Sequence, residues 1–430
     1  MRDKLRPYLV LAVPWVAFVA YAWPGIMSPD SVNQLAQARR GELGNWHPPI
    51  MAWLWGLLDH LVRGPALMLV LQTGLFIVGL YAVFRRYHAP TRAAVVAAVV
   101  FLFPPVFAVM SAIWKDSLMA GCLLCGACGI AAQSRGARAG GWFALFFAAA
   151  LRHNAPLLIL PITALLAPYA TGRRRIAIGL ALGLAVVIAA EAADHALADV
   201  DQYPFANMIA MPDTAGTLAR APDLDDDDVR ALLAGAPLVQ QHDIQTRARE
   251  IHPEATAWVA VTRDAPPLFS LATTARDADG AVTAWRRTLA AYPRAYLAYR
   301  AKIFFANIGW SRRTRPFLTA REEQPRDLAL VAENHGYYGY QLAIADALLS
   351  IERWIIFRPY LYLVLALGLL PIAWRDPLQR ALLGGAIAYE LALFLISPGG
   401  HDYRYSHWMI TVVVIASVVR VGRAWRRRDS

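Results

Sequence analysis

The sequence predicts an all-α membrane protein, a bundle of about ten transmembrane helices with a mostly helical domain outside the membrane. Three observations predict it. Of the 430 residues 57% are apolar and only 17% charged, with mean hydropathy +0.38, which is too apolar for a soluble chain of this size. The apolar residues are blocked into long runs instead of being spread along amphipathic patterns. The arginines stand in short clusters at the ends of those runs, where residues that set membrane orientation belong.

Runs near the length needed to cross about 30 Å of hydrocarbon occur in order at Tyr8–Trp23, Pro65–Phe84, Ala93–Met110, Ile113–Ala132, Trp142–Leu151, Pro156–Tyr169, Ile176–Ala193, Trp354–Trp374, Ala381–Ile396 and Trp408–Val419. With Met1 in the cytoplasm, every even-numbered crossing returns there. Arg85-Arg86, Arg135 with Arg138, Arg173-Arg174-Arg175, Arg375 with Arg380, and Arg426-Arg427-Arg428 then all fall on the cytoplasmic side, as do Arg2, Lys4 and Arg6. Both termini are expected on the cytoplasmic side of a bacterial-type inner membrane. The segment Met1 to Ala22 has a basic start and ends Ala-Tyr-Ala, a pattern shared with cleaved signal peptides. An uncleaved first span is the preferred reading, because the motifs downstream follow so closely.

Three parts result: an N-terminal transmembrane module over 1–193 with an outer loop at 24–49, an extracytoplasmic domain over 194–353, and a C-terminal transmembrane module over 354–430. In the outer domain, Asp225 to Leu233 and Tyr337 to Leu349 read as helices. The acidic run Asp225 to Asp228 reads as a helix opening in preference to a calcium site. Two stretches break the pattern. Pro49–Leu61 is apolar but too short to cross and is expected to lie at the outer surface or to dip in, and Trp142–Leu151 runs straight into Arg152-His153-Asn154.

The formal charge of +11 and a pI near 9.8 raise nucleic acid as a partner, but no basic stripe interleaves with a readable nucleic-acid motif. The three cysteines lie in one run, CLLCGAC, from Cys122 through Cys125 to Cys128. Helical spacing makes a disulfide among them awkward, and zinc would need a fourth ligand, so they read as small packing residues.

Polar chemistry gathers on the outer side. In the first loop, Ser28 suits an N-cap, Pro29 a first helical position and Gly41 a helix end, which predicts a helix over Pro29–Arg40. Asp30 then complements the helix dipole or serves as a base. Trp46 and His47 precede two prolines that fix an extended backbone. Trp114-Lys115-Asp116, Arg152-His153-Asn154 and the loop from Ser397 to Trp408, which contains Asp402, Arg404 and Tyr405, place charge where lipid makes it costly. Each alone has a bland reading as an interfacial anchor. Together, five separated stretches on one membrane face argue for a shared cavity. A carboxylate base beside several cations suits transfer of a group from an anionic lipid carrier.

These stretches resemble the GT-C superfamily of membrane glycosyltransferases, with the protein mannosyltransferase-like and aminoarabinose transferase-like enzymes as distant kin. The resemblance lies in Ser28-Pro29-Asp30 with its short helix, His47-Pro48-Pro49, Trp114-Lys115-Asp116, Arg152-His153-Asn154, Tyr292 to Leu297, and Asp402-Tyr403-Arg404-Tyr405. It implies a GT-C-like bundle that moves a sugar from a polyprenyl-phosphate carrier to a glycan, lipid or protein acceptor on the periplasmic side, with inversion. Asp30 becomes the acceptor-activating base, with His47 shaping the same pocket. Lys115, Arg152 and Arg404 grip phosphate, with Trp46 and Tyr405 placed to stack on sugar and Asp116, His153 and Asp402 completing the substrate site. The first loop lacks the adjacent Asp-Glu of protein mannosyltransferases and the Asp-X-Asp of some oligosaccharyltransferases. No cofactor is indicated, and a divalent metal is compatible but not called for.

Two rival readings stand beside this one. Polysaccharide polymerases and O-antigen ligases also use outer-face arginines with polyprenyl-linked substrates, but they concentrate them in large late loops. Secondary transporters gather charge near the bilayer midplane, whereas here it collects at the outer rim.

Overall fold

The computed structural model describes residues 2–167, 172–239, 242–251, 267–311, 313–319, 338–399 and 402–426. They are helical almost throughout, with only isolated β-bridges. In the N-terminal part the helices are α1 (Arg2–Ala22), α2 (Pro29–Arg40), α3 (Ile50–Asp59), α4 (Ala66–Arg85), α5 (Pro90–Phe101), α6 (Pro104–Phe107), α7 (Lys115–Ile130), α8 (Arg135–Ala150), α9 (Pro156–Leu166) and α10 (Gly172–Leu197). The polar middle contributes α11 (Met211–Leu218), α12 (Asp226–Leu232), α13 (Ile244–Glu250), α14 (Ala275–Ala291), α15 (Pro293–Asn307) and α16 (Gly339–Ile351). The chain closes with α17 (Pro359–Ala373), α18 (Pro377–Ile396) and α19 (His407–Arg426).

Each of the ten apolar runs contains helix. Among the described residues, five segments are long and apolar enough to cross a membrane: Leu5–Ala22, Ala66–Arg85, Gly172–Leu197, Pro377–Ile396 and Tyr403–Ala424. The other runs fold as helices of 11 to 16 residues. Prolines account for several of these short lengths, since a proline opens α5, α9 and α17 and others interrupt the run. Tyr169 of the sixth run and Arg427 and Arg428 of the last cluster lie outside the described residues.

The run Ala93–Met110 departs most from expectation. It reads as one span but forms α5, then a break, then the single turn of α6. Pro104 and Pro105 cause this, because Pro104 has no N–H to continue the helix and pushes Phe103 to extended backbone (ψ 120°). Irregular backbone at this depth survives only where protein satisfies it. Tyr403 Oη donates to the Pro105 carbonyl at 3.0 Å, and Ser117 Oγ to that of Val109 at 2.8 Å. The His407 ring meets the Val106 carbonyl at 2.7 Å. Gln72 Nε2, wholly buried on α4, donates to both Met110 and Ala112 carbonyls at 2.9 and 2.8 Å. The broken stretch is therefore pinned, and it leads directly into Trp114 and Lys115.

Helices α4, α7 and α8 approach closely through small residues, the device that bundles use in lipid. A Cβ added to Gly129 would lie 2.5 Å from the Gly141 Cα. The cysteines share this seam: Cys122 and Cys128 are buried, and Cys125 Sγ donates to the Leu75 carbonyl at 3.4 Å.

In the polar middle a second hydrophobic cluster gathers Met211, Leu218, Val229, Ile244, Phe269 and Ala281. Asp225 caps α12 by accepting from the Asp228 amide at 2.8 Å, so the acidic run opens a helix as its sequence suggests. Helix α16 begins at Gly339, while Tyr337 lies outside the described residues. Arg300 on α15, 1% exposed, joins this part to the membrane bundle. It donates to Asp213 Oδ1 at 2.9 Å and to the carbonyls of Phe394 and Ser397 at 2.7 and 2.9 Å. Those carbonyls belong to the last turn of α18 and its cap, where a cation also meets the helix dipole.

Candidate active site

The first loop folds as its residues predict. Helix α2 spans Pro29–Arg40, Ser28 and Ser31 form a reciprocal capping box, and Gly41 ends the helix at φ 69°. Tertiary hydrogen bonds then fix where α2 points. Trp114 Nε1 donates to Ser28 Oγ at 2.8 Å, and Ser31 Oγ donates to the Ile113 carbonyl at 2.6 Å. Asp30, one residue into α2, is thereby set against the start of α7.

The stretch carrying His47 is held from the other side. Asn45 Nδ2 donates to Asp201 Oδ1 at 2.9 Å, while Asn45 Oδ1 accepts from the Gln202 amide at 2.6 Å. The Trp46 amide donates to Gln202 Oε1 at 3.0 Å. His47 Nδ1 sits 2.6 Å from Lys115 Nζ, and its Nε2 lies 3.5 Å from Asp30 Oδ1. A carboxylate can only accept, so the ring proton belongs on Nε2, facing Asp30, and Nδ1 accepts from Lys115 Nζ.

Arg404 completes the ring from the late loop. Its Nη1 donates to Asp30 Oδ2 at 2.7 Å, and its Nε lies 2.6 Å from Asp402 Oδ2. The guanidinium lies 4.9 Å from the Trp114 ring centroid and 5.5 Å from that of Tyr405, within cation–π reach. Arg152 approaches the same Tyr405 ring at 5.2 Å and forms an ion pair with buried Asp116. His153, at the exposed edge, hydrogen-bonds the Asn45 backbone. Nine of the sequence-predicted residues thus meet in one chain of contacts: Asp30, His47, Lys115, Asp116, Arg152, His153, Asp402, Arg404 and Tyr405. Trp46 does so through its backbone and by lining the adjoining cavity.

That cavity, about 470 Å³, opens beside Asp30. One wall is Asp30, Asn33, Trp46 and His47. The facing wall is Gln202, Asn207 and Thr273 of the polar middle. These three carry no local sequence signal: tertiary hydrogen bonds of Leu43, Asn45 and Trp46 with Asp199, Asp201 and Gln202, and of Asn207 with Ala272, bring them here. Trp114 belongs to the site as well, as the seat beneath Arg404. The Tyr292–Leu297 stretch does not join: it opens α15, where Tyr296 hydrogen-bonds Asp213.

Electrostatics set the protonation states. Burial raises the Asp30 carboxyl, but Arg404, His47 and Lys115 outweigh it and hold it well below the usual carboxylate range. Burial pushes the His47 imidazole down to about 4, reinforced by the Lys115 charge and opposed by Asp30. At neutral pH Asp30 is therefore an anion and His47 a neutral ring.

No protein-family model and no curated protein matches the chain. Among solved structures, its fold is similar to that in the crystal structure of ArnT from Cupriavidus metallidurans in the apo state. The likeness covers 98% of this chain and 78% of that one, at 16% identity and a TM-score of 0.37.

Proposed function

We propose that this chain is a membrane glycosyltransferase of the GT-C type, taking a sugar from a polyprenyl-phosphate carrier to a cell-envelope acceptor on the periplasmic side of the inner membrane. The observation that carries this reading is the Asp30 carboxylate, 2.7 Å from Arg404 and 3.5 Å from His47 at the edge of a cavity of about 470 Å³. A carboxylate paired with Arg404, with Lys115 one contact away through His47 and Arg152 across the Tyr405 ring, supplies a base and a phosphate clamp for moving a sugar off a phosphate.

In the proposed reaction an acceptor hydroxyl lies in the cavity with its proton toward Asp30. Its oxygen bonds the anomeric carbon while the bond from that carbon to the phosphate oxygen breaks on the opposite face, inverting the centre. The proton passes to Asp30, and the lipid phosphate leaves with the electron pair, its added charge met by the guanidinium forks. His47 keeps its Nε2–H on Asp30 and orients it.

A carboxylate held so far below its usual range is a weak base, and the ion pair suggests how that changes. The donor phosphate competes for Arg404. When the guanidinium turns to phosphate, Asp30 loses the strongest influence lowering its pKa and becomes more basic only with substrate in place.

Asp30→Asn tests the base. It is expected to cut transfer about 10²- to 10⁴-fold while the protein still inserts and purifies. Consumption of a polyprenyl-phosphate sugar, followed by mass spectrometry, is the readout. Undiminished turnover in that variant removes Asp30 from the mechanism.

A further inference from the structure

A second cavity lies at the other end of the bundle. Helices α4, α7 and α19 start near the Asp30 network or run up to it. Their far ends lie about 25–30 Å away at 1.5 Å per residue. There Arg86 follows α4, Arg375 links α17 to α18, and Arg420 and Arg423 lie in the last turns of α19. These four arginines line a cavity of about 420 Å³ with Tyr87 and Asp376.

Asp376 is already engaged. It accepts from the amides of Leu378 and Gln379 at 3.1 and 3.2 Å, from Tyr87 Oη at 3.1 Å and from Arg423 Nη2 at 2.7 Å. Arg423 also stacks on the Tyr87 ring at 4.9 Å. The carboxylate thus positions the Arg423 guanidinium; Arg86, whose Nη1 also donates to the Ala131 carbonyl at 3.3 Å, Arg375 and Arg420 line the same space. Arg86 and Arg375 are exposed at its rim, and Arg420 and Arg423 are half-buried. Guanidinium groups from three elements thus border one cavity that has the volume of a small-ligand site, next to the exposed apolar side chain of Ile372.

We propose that this cavity binds a phosphate group, presented by the headgroup of an anionic phospholipid or as a soluble phosphate. Guanidinium forks match phosphate geometry, and basic pockets between membrane helices at headgroup depth take anionic lipid heads. Ile372 offers an acyl chain a path along α17. The site is separate from the Asp30 network and does not depend on the reaction assigned to it.

Native mass spectrometry of the full-length protein in detergent tests this, with phosphatidylglycerol and phosphatidylcholine of equal chain length as probes. Phosphatidylglycerol is expected to bind at least about tenfold more tightly, and Arg375→Gln and Arg420→Gln each to weaken it about tenfold without changing phosphatidylcholine. Millimolar inorganic phosphate that displaces the lipid identifies the phosphate group alone as the ligand. Lipid retained against it assigns the whole headgroup. Equal binding of the two lipids with no effect of inorganic phosphate overturns the proposal, as does unchanged phosphatidylglycerol binding in the variants. Should the α19 substitution prevent folding, Arg86→Gln at the exposed rim carries the same expectation.

Discussion

Arg404 reaches back across 374 residues of chain to donate to Asp30 at 2.7 Å, and the same guanidinium holds Asp402 at 2.6 Å and lies over Trp114. One side chain therefore sets the charge state of the proposed base and offers a seat for the proposed phosphate.

Replacing Arg404 separates those duties. Arg404→Lys keeps the charge but loses the planar fork, and transfer should fall about tenfold to a hundredfold. Arg404→Gln should fall further, and its residual activity should carry a second signature. Without the guanidinium the Asp30 pKa rises, so the acidic limb of the rate profile moves to higher pH. A pH–rate series on both variants decides this, and an unmoved limb in the Gln variant contradicts the coupling.

The histidine gives a separate pH dependence. With His47 pushed down to about 4, kcat/KM should show no inflection near 6.5, the ordinary imidazole value. Stability follows by linkage. Between pH 6.5 and about 4, unfolded His47 takes up a proton that the folded ring refuses, so the folded state loses stability as pH falls through that window. Melting temperatures at pH 7.5 and 5.0 should differ less in His47→Gln than in the parent. An equal drop in both would place the acid sensitivity elsewhere.

Gln72 offers a test of the broken stretch after α5. Gln72→Leu fills similar volume but leaves the Met110 and Ala112 carbonyls without its two hydrogen bonds. A loss of about 1–3 kcal/mol is expected, read by denaturation in detergent. Transfer should drop as well, because that stretch sets the start of α7 and with it Lys115. Parent-like stability and activity would show that other groups satisfy those carbonyls.

Local chemistry was legible where residues act on their nearest neighbours in the chain. Ser28, Pro29 and Gly41 announce α2 to the residue, and Asp225 announces α12. The pair Pro104-Pro105 carried a comparable signal inside Ala93–Met110, yet high apolarity masks it, since hydropathy counts side chains and not missing N–H groups. The clustering of Lys115, Arg152 and Arg404 near Asp30 was readable as a tendency, because each opens or closes an apolar run on one side. Which of them meets Asp30 was not, because helix order around a bundle leaves no mark in one sequence. Gln202, Asn207 and Thr273 were invisible for the same reason, being ordinary polar residues until Asn45 clasps their segment.

The clasp of Asn45 to Asp201 and Gln202 brings together segments 156 residues apart, and it divides the molecule's labour. On the proposed reading, the base and its cations belong to the membrane module and its first loop, and the acceptor is met by a separate stretch that lines the same cavity. On that same reading, changes at Gln202, Asn207 or Thr273 alter which acceptor is admitted and leave Asp30, His47 and Arg404 in place.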